Sequence, residues 1–344
     1  MFAGWETDFE KRNIDLDELV HGGPPKDGIP SIDNPSYISQ EEAANWLGDR
    51  EPVIVVDVND VVRAFPIQIL MWHEIVNDRF DGKPVAVTFC PLCYSTLVFD
   101  REVDGEVLEF GVSGFLRHSD LVMFDRSTES LWQQITGEAL VGKYTGTTLE
   151  QLPSQLISFE QFRETHPEGK VLSRDTGHDR AYGRNPYVGY DDIDKSPMLM
   201  DEEDLDDRLR PMEKVVGVEL DGHKKAYPYS FTKQTGAIND VIGSHPVVIF
   251  HTEGAASALD APQINQSRED GSTGAFFRII DERELHFKIE DGKIFDEETG
   301  SRWNIAGRAV EGPLEGESLE TIKSGDYFAF AWLVFFPETE IFEN

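Results

Sequence analysis

Cysteine is nearly absent: two in 344 residues, at positions 90 and 93. Two thiols cannot build a disulfide framework, which leaves metal ligation, a redox dithiol or coincidence. Long apolar runs are lacking too. Phe328 to Pro337 is the longest, falls well short of the roughly 18 residues of a membrane-spanning helix, and reads as a buried strand or short helix. Positive charge is scarce, since 31 Lys and Arg face 65 Asp and Glu for a net charge of −34. Such a surface repels nucleic acid and anionic membranes, so neither is an expected partner. The acidic residues are spread along the chain, with one dense patch at Asp201 to Asp207, a distribution that serves solubility. No glycine-rich phosphate loop and no Ser-His-Asp pattern is found. The opening Met1-Phe2-Ala3-Gly4-Trp5-Glu6 lacks a basic region followed by an apolar core. A cytoplasmic location is therefore expected for the chain as given, with export after signal removal as the alternative.

What is present is a stretch that occurs twice. Residues 53–99 align without a gap on 215–261 at a constant offset of 162. Phe65-Pro66 falls on Tyr227-Pro228, Asn77-Asp78 on Asn239-Asp240, and Pro84 on Pro246. In that register His73 meets Thr235, Glu74 meets Gly236, Cys90 meets Thr252, Cys93 meets Ala255 and Ser95 meets Ser257. Later, Asp125, Thr128 and Trp132 match Asp296, Thr299 and Trp303, and Pro167 matches Pro337. The first copy is longer between Phe110 and Phe124 than the second between Phe287 and Phe295, by six residues in the segment Ser113 to Asp120. Polar residues gained in one copy's loop point to function there. The first copy is thus read as functional and the second as a scaffold.

The expected fold is α+β and strand-rich, with two duplicated domains related by an internal pseudo-twofold. Residues 1–50 read as an arm ending in a short helix opened by the Ser39–Glu42 capping box. Residues 51–174 form the first repeat, 175–212 an acidic linker rich in Gly, Pro and Tyr, and 213–344 the second repeat. Val53 to Val58, Val61 to Phe65, Val85 to Phe89, Leu97 to Phe99, Val107 to Val112 and Leu121 to Phe124 read as strands. Pro66 opens a helix whose apolar spacing turns His73 inward. Asn77-Asp78 reads as the turn that ends it.

A Cys-x-x-Cys turn aims two sulfurs at one point, which suits copper or zinc. His73 is the candidate third ligand and His118 a possible fourth. Alternatively the pair is a metal-free dithiol, although Tyr94 to Phe99 reads as a strand where a thiol-activating helix would follow. Glu74 is a candidate general base or a partner orienting His73. Arg117 and Asp120 could grip an anionic substrate or simply pair with each other. A non-catalytic binding module is the third reading.

The run Trp72-His73-Glu74-Ile75-Val76-Asn77-Asp78 resembles the bacterial and archaeal family called domain of unknown function 3179. So do Val87 to Cys93, Ser119 to Arg126, Gly22 to Pro30 and Arg184-Asn185-Pro186-Tyr187. The resemblance runs from about residue 20 to the end and implies roles for His73, Glu74, Cys90 and Cys93. The family pattern often has Asn where this chain has His118. Many members look exported or lipid-anchored.

Overall fold

The computed structural model describes residues 2–343. The local signals set most elements where the residue pattern puts them. The Ser39 hydroxyl accepts from the Glu42 N–H while the Glu42 carboxylate accepts from the Ser39 N–H, opening helix α1 (Gln40–Ala43). Strands Pro52–Val58 and Val61–Pro66 pair antiparallel through a two-residue turn, Asn59-Asp60, with both residues at positive φ. Pro66 is the N-cap of helix α2 (Ile67–His73). The apolar run near the C-terminus is helix α5 (Ala329–Phe335), and its counterpart near Phe159 is helix α3 (Phe159–Thr165). Asn77-Asp78 is not a turn. It lies inside strand Ile75–Phe80, where the Asn77 amide brackets the Phe110 backbone through hydrogen bonds of 2.8 and 2.9 Å.

Three sheets organise each half, and the one that carries Asp120 joins strands 20–21, 110–117, 120–125, 131–133 and 139–141. In the first half, strands 155–158, 52–58, 61–66, 170–172 and 37–38 form one sheet, and strands 151–152, 95–100, 83–90 and 75–80 form another. Alternation along Val53-Ile54-Val55-Val56 sends Ile54 and Val56 to one core and Val53 and Val55 to another. The first of these cores contains Phe89, Cys90 and Cys93; the second contains Val248, Phe250 and Phe276 from the other half. The second half mirrors the device: Val216 and Val218 face its own strands, whereas Val215 joins the core around the cysteines. Burying each such side chain stabilises by roughly 1.5–3 kcal/mol. A one-residue slip in either strand would exchange the two cores, so register is strongly fixed. The halves are interlocked, with the Phe328 N–H donating to the Cys93 carbonyl at 2.8 Å.

The order strand, strand, helix, strand, strand over 52–90 recurs at 214–252, with helix α4 (Tyr229–Thr235) in the place of α2. Matching side chains make matching bonds: Arg101 donates to the Val85 and Leu108 carbonyls, and to that of Asp78, as Arg278 does to those of Val247 and Leu285, and Trp132 and Trp303 each donate to an aspartate at 3.1 and 3.0 Å. The gapless register, however, ends at Cys90 and Thr252. The strand beside 245–252 is Ser272–Phe277, so Ser95 corresponds to Ser272 and not to Ser257. The second half carries the longer connection there, residues 253–271 against 91–94. The extra residues between Phe110 and Phe124 lengthen a hairpin, Phe110–Arg117 with Asp120–Asp125, closed by His118 and Ser119 at positive φ. Its second-half equivalent, Phe287–Glu290 with Lys293–Asp296, stops earlier at Asp291-Gly292.

Candidate metal centre

Cys90 is the last residue of strand Lys83–Cys90, and it faces Ser95 at the start of the next strand. The turn between them is closed by the Cys93 N–H donating to the Cys90 carbonyl at 3.3 Å and by Tyr94 at φ 57°. Asp120 opens the return strand of the long hairpin directly after its tip. One ligand atom from each of Cys90, Cys93 and Asp120 lies within 4.8 Å of the other two, and all three residues are buried. Both thiols are free. The set of two sulfurs and one carboxylate oxygen could hold a metal ion.

Asp120 is held from behind. Its Oδ2 accepts from the Gln133 side-chain amide at 2.7 Å and from the Ile135 N–H at 3.0 Å. Gln134 in turn accepts from the Ser95 hydroxyl at 2.6 Å and donates to the Thr88 hydroxyl at 2.8 Å. A polar shell thus fixes the carboxylate before any ion arrives, as metal ligands require. Burial raises the Asp120 carboxyl to about 6, against donors that favour its charged form. Burial also pushes both thiols up, with Asp120 adding to the rise. Among the described residues no Lys, Arg or His side chain reaches ion-pair distance of Asp120 or Glu74. The centre therefore concentrates acidic groups whose charges only protons or a cation can offset.

Glu74 stands at the rim. It is the C-cap of α2 with φ 58° and ψ −31°, a conformation unfavourable for a residue with a side chain. The equivalent C-cap of α4 is Gly236, with φ 74° and ψ −31°. The backbone is the same in both halves, and only the first puts a carboxyl there. That carboxyl is 7% exposed, and its pKa is raised to about 8 by burial and then by Asp120.

The structure does not bring the two histidines to the thiols. His73 is buried, its Nδ1 2.7 Å from the Pro30 carbonyl and its Nε2 2.6 Å from the Tyr182 hydroxyl. With both ring nitrogens engaged, it ties the N-terminal arm and the segment after 172 to α2. Glu74 is not its orienting partner. His118 sits at the hairpin tip between Glu18 and Asp204, at 3.9 and 3.8 Å. Arg117 and Asp120 are opposite in hairpin register but part company: Arg117 pairs with Glu18 at 2.7 Å and lies over the Phe335 ring, while Asp120 turns inward.

Gln133, Gln134 and Tyr190 escape notice in the sequence. The only hint is two adjacent glutamines following Leu131-Trp132, an unusual pair for a buried strand. In the second half the corresponding place is an open cavity of about 720 Å³ lined by Lys233, Gly236, His251, Thr252 and Asp270. The shorter hairpin leaves that space unfilled.

The chain belongs to the family described as "Protein of unknown function (DUF3179)", whose model matches residues 26–339. No curated protein and no solved structure matches it.

Proposed function

We propose that this member of the family is a metal-binding protein whose ion is held by Cys90, Cys93 and Asp120. The observation that carries the reading is the convergence of three ligand atoms within 4.8 Å in a buried, cation-free place. Zinc suits the set better than copper(I): it accepts thiolate and carboxylate together, whereas copper(I) selects thiolates and thioethers. Three protein ligands leave a fourth position, and zinc there supplies a Lewis acid. Asp120 would act as ligand, held by Gln133. Glu74 would hold or release a proton at the rim. Arg117 and His118 would position the arm through Glu18 and not enter the chemistry.

A metal-free dithiol oxidoreductase is the weaker reading. Reactive dithiols depend on a depressed thiol pKa from a helix N-terminus or a nearby cation. Here burial raises both thiols and a strand follows. The repeated element order and the matched arginine and tryptophan contacts support an origin by internal duplication, with 51–174 and 213–344 as the two copies around a 175–212 linker.

Elemental analysis of protein purified without an affinity tag tests the metal. About one zinc per chain is expected after reloading, falling strongly in Cys90→Ser and Asp120→Asn and unchanged in His73→Gln. Less than about a tenth of an ion per chain after reloading with zinc or copper sinks the reading.

A further inference from the structure

Both cysteines, Asp120 and Glu74 are buried, so an ion or a reagent reaches them only if something moves. The walls differ in how firmly they are held. Strands 83–90 and 95–100 pair along their whole length, and the Asp120 hairpin is paired from Phe110 to Asp125. The remaining cover is the segment 182–200, which forms no helix or extended strand. Its first part is well anchored, because the buried Asp191 carboxylate accepts from Arg268 and Ser257 and faces Lys214 at 3.7 Å. At its start the Tyr182 hydroxyl meets His73, the Asn185 N–H donates to the Pro262 carbonyl at 3.0 Å, and the Gly189 N–H donates to the Leu259 carbonyl at 2.7 Å.

Two fastenings lie on the centre itself. The Tyr190 hydroxyl donates to the Leu92 carbonyl, inside the Cys-x-x-Cys turn, at 3.1 Å and accepts from the Met198 N–H at 3.2 Å. The Ser119 hydroxyl, beside Asp120, donates to the Met198 carbonyl at 2.6 Å. Beyond Asp191 the segment is loosely held: Met198 and Leu199 are exposed, and Leu199 has φ 54°, which a side chain disfavours.

We propose that residues 192–200 are a gate over the Cys90–Cys93–Asp120 centre, latched through Met198 by Tyr190 and Ser119 and opening to admit or release the ion. The gate's purpose rests on reading the cluster as a metal centre, but its opening does not require an ion. Local opening of a weakly fastened segment needs far less free energy than global unfolding.

The test is alkylation of metal-free full-length protein by iodoacetamide, followed site by site at Cys90 and Cys93 by mass spectrometry. Tyr190→Phe removes both bonds of the bridging hydroxyl and should speed modification about tenfold, the worth of one to two such bonds. Ser119→Ala, which breaks the other latch, should speed it several-fold, and the pair should multiply. Hydrogen exchange should be faster in 192–200 than in 83–100 in the wild type. The thermal midpoints should stay within a few degrees, so that labelling reports the gate and not unfolding. Rates within about twofold of wild type in both variants overturn the gate, as does acceleration matched by faster exchange across strands 83–100. Zinc stoichiometry is scored separately, so loss of the gate and loss of the metal reading give different results.

Discussion

Glu74→Gly should stabilise the metal-free protein, although it deletes a buried side chain from the most acidic part of the core. The second half already holds the comparison, since Gly236 occupies the same C-cap backbone conformation. Three effects set the size. Relief of the left-handed backbone at φ 58° is worth about 1–2 kcal/mol. The greater unfolded-state freedom of glycine takes back roughly 0.5–1 kcal/mol, and the lost side-chain contacts roughly 1–2 kcal/mol more. The third effect depends on pH. A carboxyl whose pKa rises from 4.5 to about 8 on folding holds a proton that the unfolded chain releases. The folded state therefore binds more protons across that window, and stability falls as pH rises through it by about 1.4 kcal/mol per unit. Below pH 4.5 the penalty is absent; at pH 7 it is about 3 kcal/mol, and above pH 8 it stops growing. Glu74→Gly should thus be near neutral at pH 4.5 and more stable than wild type by about 2–3 kcal/mol at pH 7, raising the melting midpoint by roughly 3–5 °C for a chain of this length. Thermal unfolding in chelator at pH 4.5, 6, 7 and 8 measures it. A midpoint below wild type at pH 7, or a gain that does not grow with pH, refutes the reasoning.

Further outcomes follow from other groups. Burial lowers His73 to about 4, so the unfolded chain takes up the proton first. Its contribution is intact above pH 6.5 and is lost as pH falls towards 4, by about 3 kcal/mol in all, and His73→Gln should flatten that acid limb in urea titrations. Burial raises the Asp270 carboxyl, but Lys214 and Lys233 outweigh it and hold the pKa well below the usual range. Asp270→Asn leaves the buried Lys214 ammonium with only Asp191 at 3.7 Å, and chemical denaturation should register a loss of about 3 kcal/mol. Gln133→Leu removes the donor behind Asp120 and should weaken zinc binding about 10–100-fold by competition with a chelator. Unchanged affinity in that variant would remove Gln133 from the centre.

Much of the scaffold was legible because its signals are local. Pro66, the Ser39–Glu42 box and the Val53–Val58 run each act within a few residues, and each forms the expected element. The Asn77-Asp78 turn failed because the Asn77 side chain serves a strand 33 residues away, a long-range contact that resembles turn chemistry in sequence. The gapless register failed beyond Cys90 for a related reason: a 15-residue difference in loop length is invisible when Ser95 and Ser257 happen to align. At the centre, Cys90 and Cys93 stand out by their spacing, whereas Asp120 stands out only as a partner for Arg117 or an anionic substrate, and its place beside the thiols is set by the hairpin. His73 draws attention by its inward helical spacing, but its ring faces the arm and the linker, which sequence periodicity cannot locate.

The two halves act as an internal control on what the centre requires. Besides the longer 253–271 connection, three features of the first half stand apart at this place: a carboxyl for a glycine at the helix C-cap, sulfurs at the end of the central strand, and a hairpin longer by six residues. They are distant in sequence, yet the fold brings all three to one point. None helps the bare protein fold, since the first adds backbone strain, the second buries thiols and the third buries an aspartate without an ion pair. Independent burdens that coincide in space are better explained by a shared occupant than by drift, because drift would scatter them. The proposed cation would account for all three together: it would offset the acidic charge, use the sulfurs and give the extended hairpin a reason to reach inward.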